Sequence, residues 1–204
     1  MVRHDPNSSE PNVETLEADP RSKRGAHCDV TREIDHGRTT VVFERDFATS
    51  RPTLWNLLTA PDQLRLWAPH TADRNLAHVG RVTFTLLGDE IDGHADIPEF
   101  EMSGVVLVVD APVLLEHSGA TDVLAWHLDE VAEATHLTLR QTLANDTMAS
   151  AVAAGWHLCF EVADSLLAGH PVPPIRGSGA MRHGWADLNR RYAKALGVAP
   201  TKLG

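Results

Sequence analysis

The hydrophobic pattern is strongest over residues 146–169, where apolar side chains recur at steps of three or four. Such steps place side chains on one face of an α-helix, and the polar residues then fall on the opposite face. A two-sided helix of this length needs a partner surface for its apolar face. The apolar face consists of Met148, Val152, Trp156, Phe160, Ala163 and Leu167, and the polar face of Ser150, His157, Glu161 and Asp164.

Residues at both ends of this segment favour a helix with these bounds. Asn145 or Asp146 supplies a side-chain oxygen that can cap the first turn. Gly169 can adopt the left-handed conformation that ends a helix, and Pro171 cannot continue one. The sequence therefore predicts one long helix from Asp146 to Gly169.

Most of the chain before this helix alternates between apolar and polar residues, which is typical of β-strands. Two short helices interrupt the pattern, one beginning after Ser50 with Pro52 in its first turn and one beginning at Asp62. Helices segregated from a mainly antiparallel sheet indicate an α+β domain. Strands are predicted at residues 38–47, 80–88, 105–109, 113–119, 123–131 and 135–143.

The two ends of the chain differ from this central region. Residues 1–36 are rich in Pro, Ser, Glu and Asp without apolar periodicity, which predicts a disordered tail. Residues 37–169 form the predicted domain, and residues 170–204 are predicted to be a linker followed by a short amphipathic helix. We expect that helix to pack on the edge of the domain or on a partner.

Composition limits the classes of function. A formal net charge of −10 argues against a broad nucleic-acid surface and against binding to anionic membranes. The chain has no run of eighteen apolar residues, so no membrane span is expected, and no apolar block of a secretory signal follows the first residues. Its two cysteines, Cys28 and Cys159, lie far apart, which favours free thiols and a cytoplasmic location.

No motif in the sequence identifies a metal, a cofactor or a catalytic centre. The chain has 12 histidines, but none lies in a typical zinc pattern. His157 and Glu161 are four residues apart and could form half a metal site, but a solvated polar face is the favoured explanation. The acidic segment 89–96 lacks the order of ligands found in a calcium loop. We therefore expect no metal and no cofactor.

The order of several short motifs resembles the SRPBCC superfamily, also called START-like or helix-grip. The branch that it resembles is the group named after the activator of the heat-shock chaperone ATPase. No single motif is specific, but their order and spacing over residues 38–169 are. The motifs are Phe43-Glu44-Arg45, Trp55 to Pro61, Leu64 to Trp67, Gly104-Val105-Val106, Asp110-Ala111-Pro112, Leu124 to Leu128, Thr135 to Leu139 and Gly155-Trp156-His157.

The resemblance implies a curved antiparallel sheet that wraps around the long helix, with a cavity between them. Superfamily members bind lipids, hormones or polyketides, some are cyclases, and one branch stimulates a chaperone ATPase. Apolar and aromatic residues facing such a cavity would suit a small hydrophobic ligand. The expected ligand-binding residues are Trp67, Phe84, Trp126, Val152, Trp156 and Phe160, with Arg45 and Gln141 as inward polar groups.

The sequence leaves three functions open. The first is binding of a small apolar or aromatic molecule without chemistry. The second is a cyclase, dehydratase or hydrolase in which His127, His157 or Arg45 serves as acid, base or charge stabiliser. The third is an interaction protein that regulates a chaperone or another partner, and a homodimer also remains open. No catalytic constellation is recognisable, which favours the first.

Overall fold

The computed structural model describes residues 28–88, 90–91, 94–95, 99–119 and 121–202. The strands are β1 Asp29–Asp35, β2 Arg38–Phe47, β3 His70–Ala72, β4 Gly80–Leu86, β5 Glu90–Ile91, β6 His94–Ala95, β7 Phe100–Asp110, β8 Leu114–Gly119, β9 Asp122–Val131 and β10 Ala134–Thr142. The α-helices are α1 Arg51–Thr59, α2 Pro61–Leu64, α3 Ala149–Leu167, α4 Gly179–Arg182 and α5 Trp185–Leu196.

Eight strands form one antiparallel sheet in the order β1-β2-β10-β9-β8-β7-β4-β3. The sheet curls into a half-barrel around α3, so the predicted α+β helix-grip architecture is confirmed. The short strands β5 and β6 pair with each other in a separate two-stranded sheet. A register shift between Val106 and Val108 interrupts the pairing of β7 with β8, as a bulge does.

The two short helices lie between β2 and β3, as the sequence predicts. The Ser50 hydroxyl accepts a hydrogen bond from the Thr53 backbone N–H, and Pro52 lies in the first turn of α1. Leu54 and Leu58 are buried because they are four residues apart on one helical face. α1 contacts β9 and β10, and α2 contacts β3.

The start of the ordered domain is a correction to the sequence prediction. Residues 29–35 were expected to belong to a disordered tail, yet they form β1 and pair with β2 along their whole length. All but one of these residues are exposed, because β1 is an edge strand. Its side chains therefore lack the apolar alternation by which a half-buried strand is recognised. Residues 1–27 of the predicted tail lie outside the described residues.

The long helix begins with a 3₁₀ turn at Asp146–Met148, which Asn145 caps by accepting from the Thr147 backbone N–H. α3 follows to Leu167, and Gly169 beyond it has the left-handed φ of +77°. The apolar face of α3 lies on the sheet. Phe160 is fully buried there, with its ring centroid 6.1 Å from that of Phe43 on β2.

The polar face of α3 is partly buried. Helix α5 packs on α3 and on the edge strand β1 and covers part of this face; packing on the domain edge was expected, but contact with the polar face of α3 was not. His157 is buried and lies 2.7 Å from the hydroxyl of Tyr192 on α5. Ser150 is also buried, where its hydroxyl accepts from the Thr201 backbone N–H at 3.0 Å. No helix among the described residues combines the length and the apolar character needed to cross a membrane.

Candidate functional site

A cavity of about 910 Å³ lies between α3, the inner face of the sheet and the segment that follows α3. The lining is mostly apolar and includes side chains from β4, β7, β8, β9, β10 and α3. The segment 175–185 forms the remaining wall. The main apolar lining residues are Phe84, Leu86, Met102, Leu124, Met148, Val152, Trp156, Ile175, Met181 and Trp185.

Half of the residues predicted to bind a ligand line this cavity. Phe84 lies on β4, Gln141 on β10, and Val152 and Trp156 lie one turn apart on α3. The helical face recognised in the sequence therefore faces the cavity over its first three turns. Its later turns contact the sheet directly.

Trp67, Trp126 and Phe160 do not line the cavity but pack behind Trp156. The ring of Trp156 meets that of Trp126 edge to face at 5.1 Å between centroids, and it stacks with Phe160 at 5.7 Å. Trp67 stacks with Phe160 at 6.2 Å. Trp67 also donates its indole N–H to the Leu57 carbonyl at 3.1 Å. This aromatic cluster gives Trp156 a rigid support.

Arg45 points away from the cavity, to the other side of α3. It is buried and forms an ion pair with Asp164 of that helix. A buried arginine needs either an acid or an anionic ligand, and here Asp164 is the acid. The inward register of β2 was recognised correctly, but the cavity does not extend to that end of the sheet.

Gln141 fixes the orientation of Trp156. Its side-chain oxygen accepts from the Trp156 indole N–H at 2.7 Å, and its amide nitrogen donates to Asp122 Oδ2 at 2.7 Å. The other oxygen of Asp122 accepts from the Ala144 backbone N–H at 2.9 Å. Protein groups therefore already engage the amide oxygen and nitrogen of Gln141 and both carboxylate oxygens of Asp122.

Two histidines of the cavity were not predicted from the sequence. His70 begins β3, and His117 lies in β8 between the inward-facing Leu115 and Gly119. Their ring centroids are 6.2 Å apart, and the ring of Phe84 contacts both. The alternation of β8 places His117 on the same face as Leu115, which is a signal that could have found it. The three-residue strand at His70 offers no comparable pattern.

Burial keeps both imidazoles neutral. It lowers the pKa of His70 to about 4, with a further contribution from the positive charge of Arg176. It lowers the pKa of His117 to about 3, reinforced by His70, while a backbone contact at Ser118 acts in the opposite direction. Burial also raises the pKa of the lining thiol Cys159 to about 12, so this thiol is not a nucleophile near neutral pH.

The segment 175–185 covers the cavity and was predicted only as a linker and the start of a helix. Arg176 anchors it by donating from Nε to the Ala68 carbonyl at 3.0 Å and from its terminal nitrogen to the Arg65 carbonyl. Met181 is half exposed at the opening, as Met148 is to a smaller extent. Methionine side chains are flexible and polarisable, so this rim can adapt to the shape of a ligand.

Two glycines show where the cavity has room and where it has none. A Cβ added at Gly155 of α3 would meet no atom within 4 Å, because the residue faces the open space. A Cβ added at Gly104 of β7 would lie 2.3 Å from the Ser118 carbonyl oxygen and 2.6 Å from the Phe84 ring. Gly104 therefore allows Phe84 to lie against the strand and form the cavity wall.

The three groups proposed for catalysis do not converge. His127 is half exposed and interacts with Asp129 at 3.1 Å. His157 uses both ring nitrogens, one toward Tyr192 and one toward Glu161 at 3.1 Å. Neither lines the cavity, and Arg45 does not either.

The model of the family described as "Activator of Hsp90 ATPase homolog 1-like protein" matches residues 48–168, which is more than half of the 204 residues. The match begins at the end of β2 and ends just after α3, so it spans most of the sheet, the aromatic cluster and the cavity face of the helix. Among curated proteins, none matches the chain significantly.

Solved structures share the fold at low sequence identity. A conserved protein of unknown function from Enterococcus faecalis has a TM-score of 0.61 at 16% identity, covering 82% of this chain and 90% of its own. A protein from Bordetella parapertussis has a TM-score of 0.59 at 18% identity, covering 81% and 90%. CalU16 from Micromonospora echinospora has a TM-score of 0.54 at 18% identity, covering 79% and 96%. At these identities the likeness shows the fold alone.

Proposed function

The chain belongs to the family described as Activator of Hsp90 ATPase homolog 1-like protein, and from that premise we propose that it binds a small apolar or aromatic molecule. The binding site is the cavity between the sheet and α3. The observation that carries the proposal is a cavity of about 910 Å³ walled mainly by apolar side chains. Small-molecule sites commonly have volumes of about 300–1,000 Å³ and linings of this kind.

The arrangement of the walls supports binding rather than a filled core. The aromatic cluster that supports Trp156 is densely packed, whereas the other side of the same ring lines open space. Protein interiors are otherwise packed at the density of organic crystals. A large apolar space next to so rigid a wall is therefore best explained as a site kept open for a ligand.

The alternative functions have less support. The enzymatic alternative required at least two of the groups His127, His157 and Arg45 to meet within the cavity, and none of them lines it. The alternative of a chaperone regulator rests on the description of the family, and no contact among the described residues favours it. Binding without chemistry remains the function that the geometry supports best.

The proposal is tested by titrating the protein with N-phenyl-1-naphthylamine, an uncharged apolar probe whose emission rises in dry surroundings. We expect saturable binding, with energy transfer from Trp156 and Trp185, because both indoles line the cavity. The Gly155→Leu variant should bind the probe at least about tenfold more weakly, which corresponds to about 1.4 kcal/mol. Its larger side chain would occupy the space that a Cβ at this position faces.

The matched control is Gly155→Ala, which adds one methyl group and leaves most of the volume free. It should bind the probe within about twofold of the wild type, a difference of less than about 0.5 kcal/mol. Absence of saturable binding to the wild type would contradict the proposal. Unchanged binding to a folded Gly155→Leu variant would also contradict it, because the probe would then bind elsewhere.

A further inference from the structure

The two histidines of the cavity supply polar groups within an otherwise apolar wall. They come from different strands, His70 from β3 and His117 from β8, and both rings face the cavity region around Phe84. The other polar pair of the lining, Gln141 and Asp122, already uses its side-chain atoms in bonds to protein groups. Among the sheet residues of the lining, the histidines therefore keep hydrogen-bonding capacity for a ligand, and on the covering segment the buried Ser178 hydroxyl has no partner among the described residues.

The tautomer of His117 follows from its neighbour. The indole N–H of Trp126 can only donate, and it lies 3.2 Å from His117 Nε2, which must therefore accept. A neutral imidazole that accepts at Nε2 carries its hydrogen on Nδ1. Within the described part of the chain no group meets hydrogen-bond geometry at this buried Nδ1, although the Ser118 backbone lies near enough to raise the pKa of the ring. An unpaired buried donor is unfavourable, so an occupant that supplies an acceptor would stabilise it.

His70 complements this donor. His70 is partly accessible and its side chain makes no hydrogen bond to any described residue, while its ring meets those of Phe84, His117 and Trp156 edge to face. Because neither ring nitrogen is engaged, a neutral His70 can present either an N–H or a lone pair to the cavity. Arg176 directs hydrogen bonds to backbone carbonyls, and its positive charge disfavours a cation beside His70.

We propose that the cavity binds an uncharged, mainly apolar molecule whose carbonyl or hydroxyl oxygen is held by His70 and by the Nδ1–H of His117. This inference rests on the proposed binding function and specifies the chemical class of the ligand. The apolar walls accommodate the body of the molecule, and the histidine pair orients its single oxygen. A carboxylate would lose its hydration among apolar side chains and meet two neutral imidazoles, while the nearby cation Arg176 already donates to the Ala68 and Arg65 carbonyls.

The test uses two probes of the same shape, 2-acetylnaphthalene and 2-isopropenylnaphthalene, which differ only in a carbonyl oxygen replaced by a methylene group. Their dissociation constants are measured for the wild type and for His70→Phe, which keeps a ring of similar size. Comparing the ratio of the two constants between the proteins cancels the difference in hydrophobicity between the probes. We expect the relative preference for the ketone to fall about fivefold in His70→Phe, the range of a net hydrogen bond.

The control variant is His127→Phe, which replaces a half-exposed histidine outside the cavity and should leave the ratio unchanged. An unchanged ratio in His70→Phe, with both probes still bound, would overturn this inference and leave the proposed function standing. Failure of both probes to bind the wild type would instead remove the proposed function. Tighter binding of 2-naphthoate than of the ketone would also overturn the inference, because the site would then select an anion.

A measurement on the wild type tests the same point without relying on a variant that folds. Nitrogen-15 NMR of the histidine side chains should show His117 as the Nδ1–H tautomer. The Nδ1–H proton resonance should move downfield with 2-acetylnaphthalene and not with 2-isopropenylnaphthalene. A hydrogen on Nε2, or equal shifts with both probes, would contradict the assignment of His117 as a donor to the ligand.

Discussion

The two faces of α3 differ in packing, although their residues lie only a few positions apart in sequence. On the cavity face, Val152, Gly155 and Trp156 border open space. On the other face, His157 contacts Tyr192 and Glu161, and Asp164 pairs with the buried Arg45. The polar face is thus closed by hydrogen bonds and ion pairs, whereas the apolar face is left partly unfilled.

The polar face of α3 therefore contributes to the stability of the fold, and the cavity face to the proposed binding. The groups that suggest chemistry in the sequence, His157, Glu161 and Arg45, hold α5 and the sheet against α3. Burial raises the pKa of Tyr192 to about 12 and that of Cys28 to about 11, so these groups stay neutral within the network near neutral pH. The groups that line the cavity are, by contrast, mostly apolar. Substitutions on the two faces should therefore affect different properties.

The largest effect is expected from Asp164→Ala. The substitution removes the carboxylate that pairs with the buried Arg45, which should lower the free energy of unfolding by about 3 kcal/mol. Probe binding to the folded fraction should not change, because Asp164 is not part of the cavity lining. Urea unfolding and the naphthylamine titration measure the two properties.

The matched control for this variant is Asp187→Ala, which breaks the ion pair of Asp187 with Arg190. Both of these side chains are largely exposed, so the loss should stay below about 1 kcal/mol. Equal losses for Asp164→Ala and Asp187→Ala would show that the polar face of α3 does not depend on its buried pair. A loss of probe affinity in Asp164→Ala would remove the distinction between the two faces.

Two alanine substitutions test how tightly the cavity walls are packed. Gly104→Ala should lower the free energy of unfolding by about 2–3 kcal/mol, because the new Cβ lies 2.6 Å from the Phe84 ring and closer still to the Ser118 backbone. Gly155→Ala should raise it by about 0.5–1 kcal/mol, because alanine favours a helix and its Cβ meets no atom within 4 Å. Thermal and urea unfolding measure whether each substitution raises or lowers the free energy of unfolding. A destabilised Gly155→Ala variant would mean that the space beside α3 is not open.

As the pH is lowered, we expect the cavity histidines to reduce the free energy of unfolding at a higher pH than the groups on the polar face of α3 do. Both His70 and His117 have folded pKa values, about 4 and about 3, below the ordinary value of 6.5. The unfolded chain then binds more protons below pH 6.5, so stability falls as the pH is lowered toward 4 and is unaffected above pH 7. Each histidine should contribute a loss of about 2 kcal/mol between pH 7 and pH 5.

The contribution of Glu161 has a different pH window. Its hydrogen bond with His157 holds the pKa of this carboxyl below the ordinary 4.5, so its stabilisation is present above that value and is lost below it. Urea unfolding of the wild type and of His70→Phe at pH 8, 7, 6 and 5 tests whether His70 lowers stability at a higher pH than Glu161 does. Between pH 7 and pH 5, the free energy of unfolding of the variant should fall by about 2 kcal/mol less than that of the wild type. Between pH 8 and pH 7, the two proteins should show the same change in the free energy of unfolding. Parallel curves throughout would contradict neutral burial of His70.

The architecture could be predicted from the sequence wherever one face of an element is buried. Residues 38–47, the short helices beginning near Ser50 and Asp62, and the long helix all show the periodicity of their secondary structure, and all are confirmed. Strand β1 was missed because an edge strand with exposed side chains has a polar composition like that of a tail. The family resemblance was confirmed by the match over residues 48–168.

The site was predicted less completely, for physical reasons. The inward positions Phe84, Val152 and Trp156 follow from periodicity, which tells which side of an element is buried but not what lies opposite. Arg45 was therefore placed in the cavity, although its partner is Asp164 on the far side of the helix. The covering segment 175–185 is largely irregular around Arg176 and has no period that could reveal its position.

The way the cavity is assembled determines at which stage of folding a ligand can bind. Its walls are drawn from Pro69 through to Trp185, so it is assembled from parts distant in sequence. Contacts of such separation require long loops to close and are expected late in folding. The growing chain lacks the site until Trp185 has been synthesised and its segment has docked. A ligand should therefore slow the unfolding of the finished molecule without accelerating its folding.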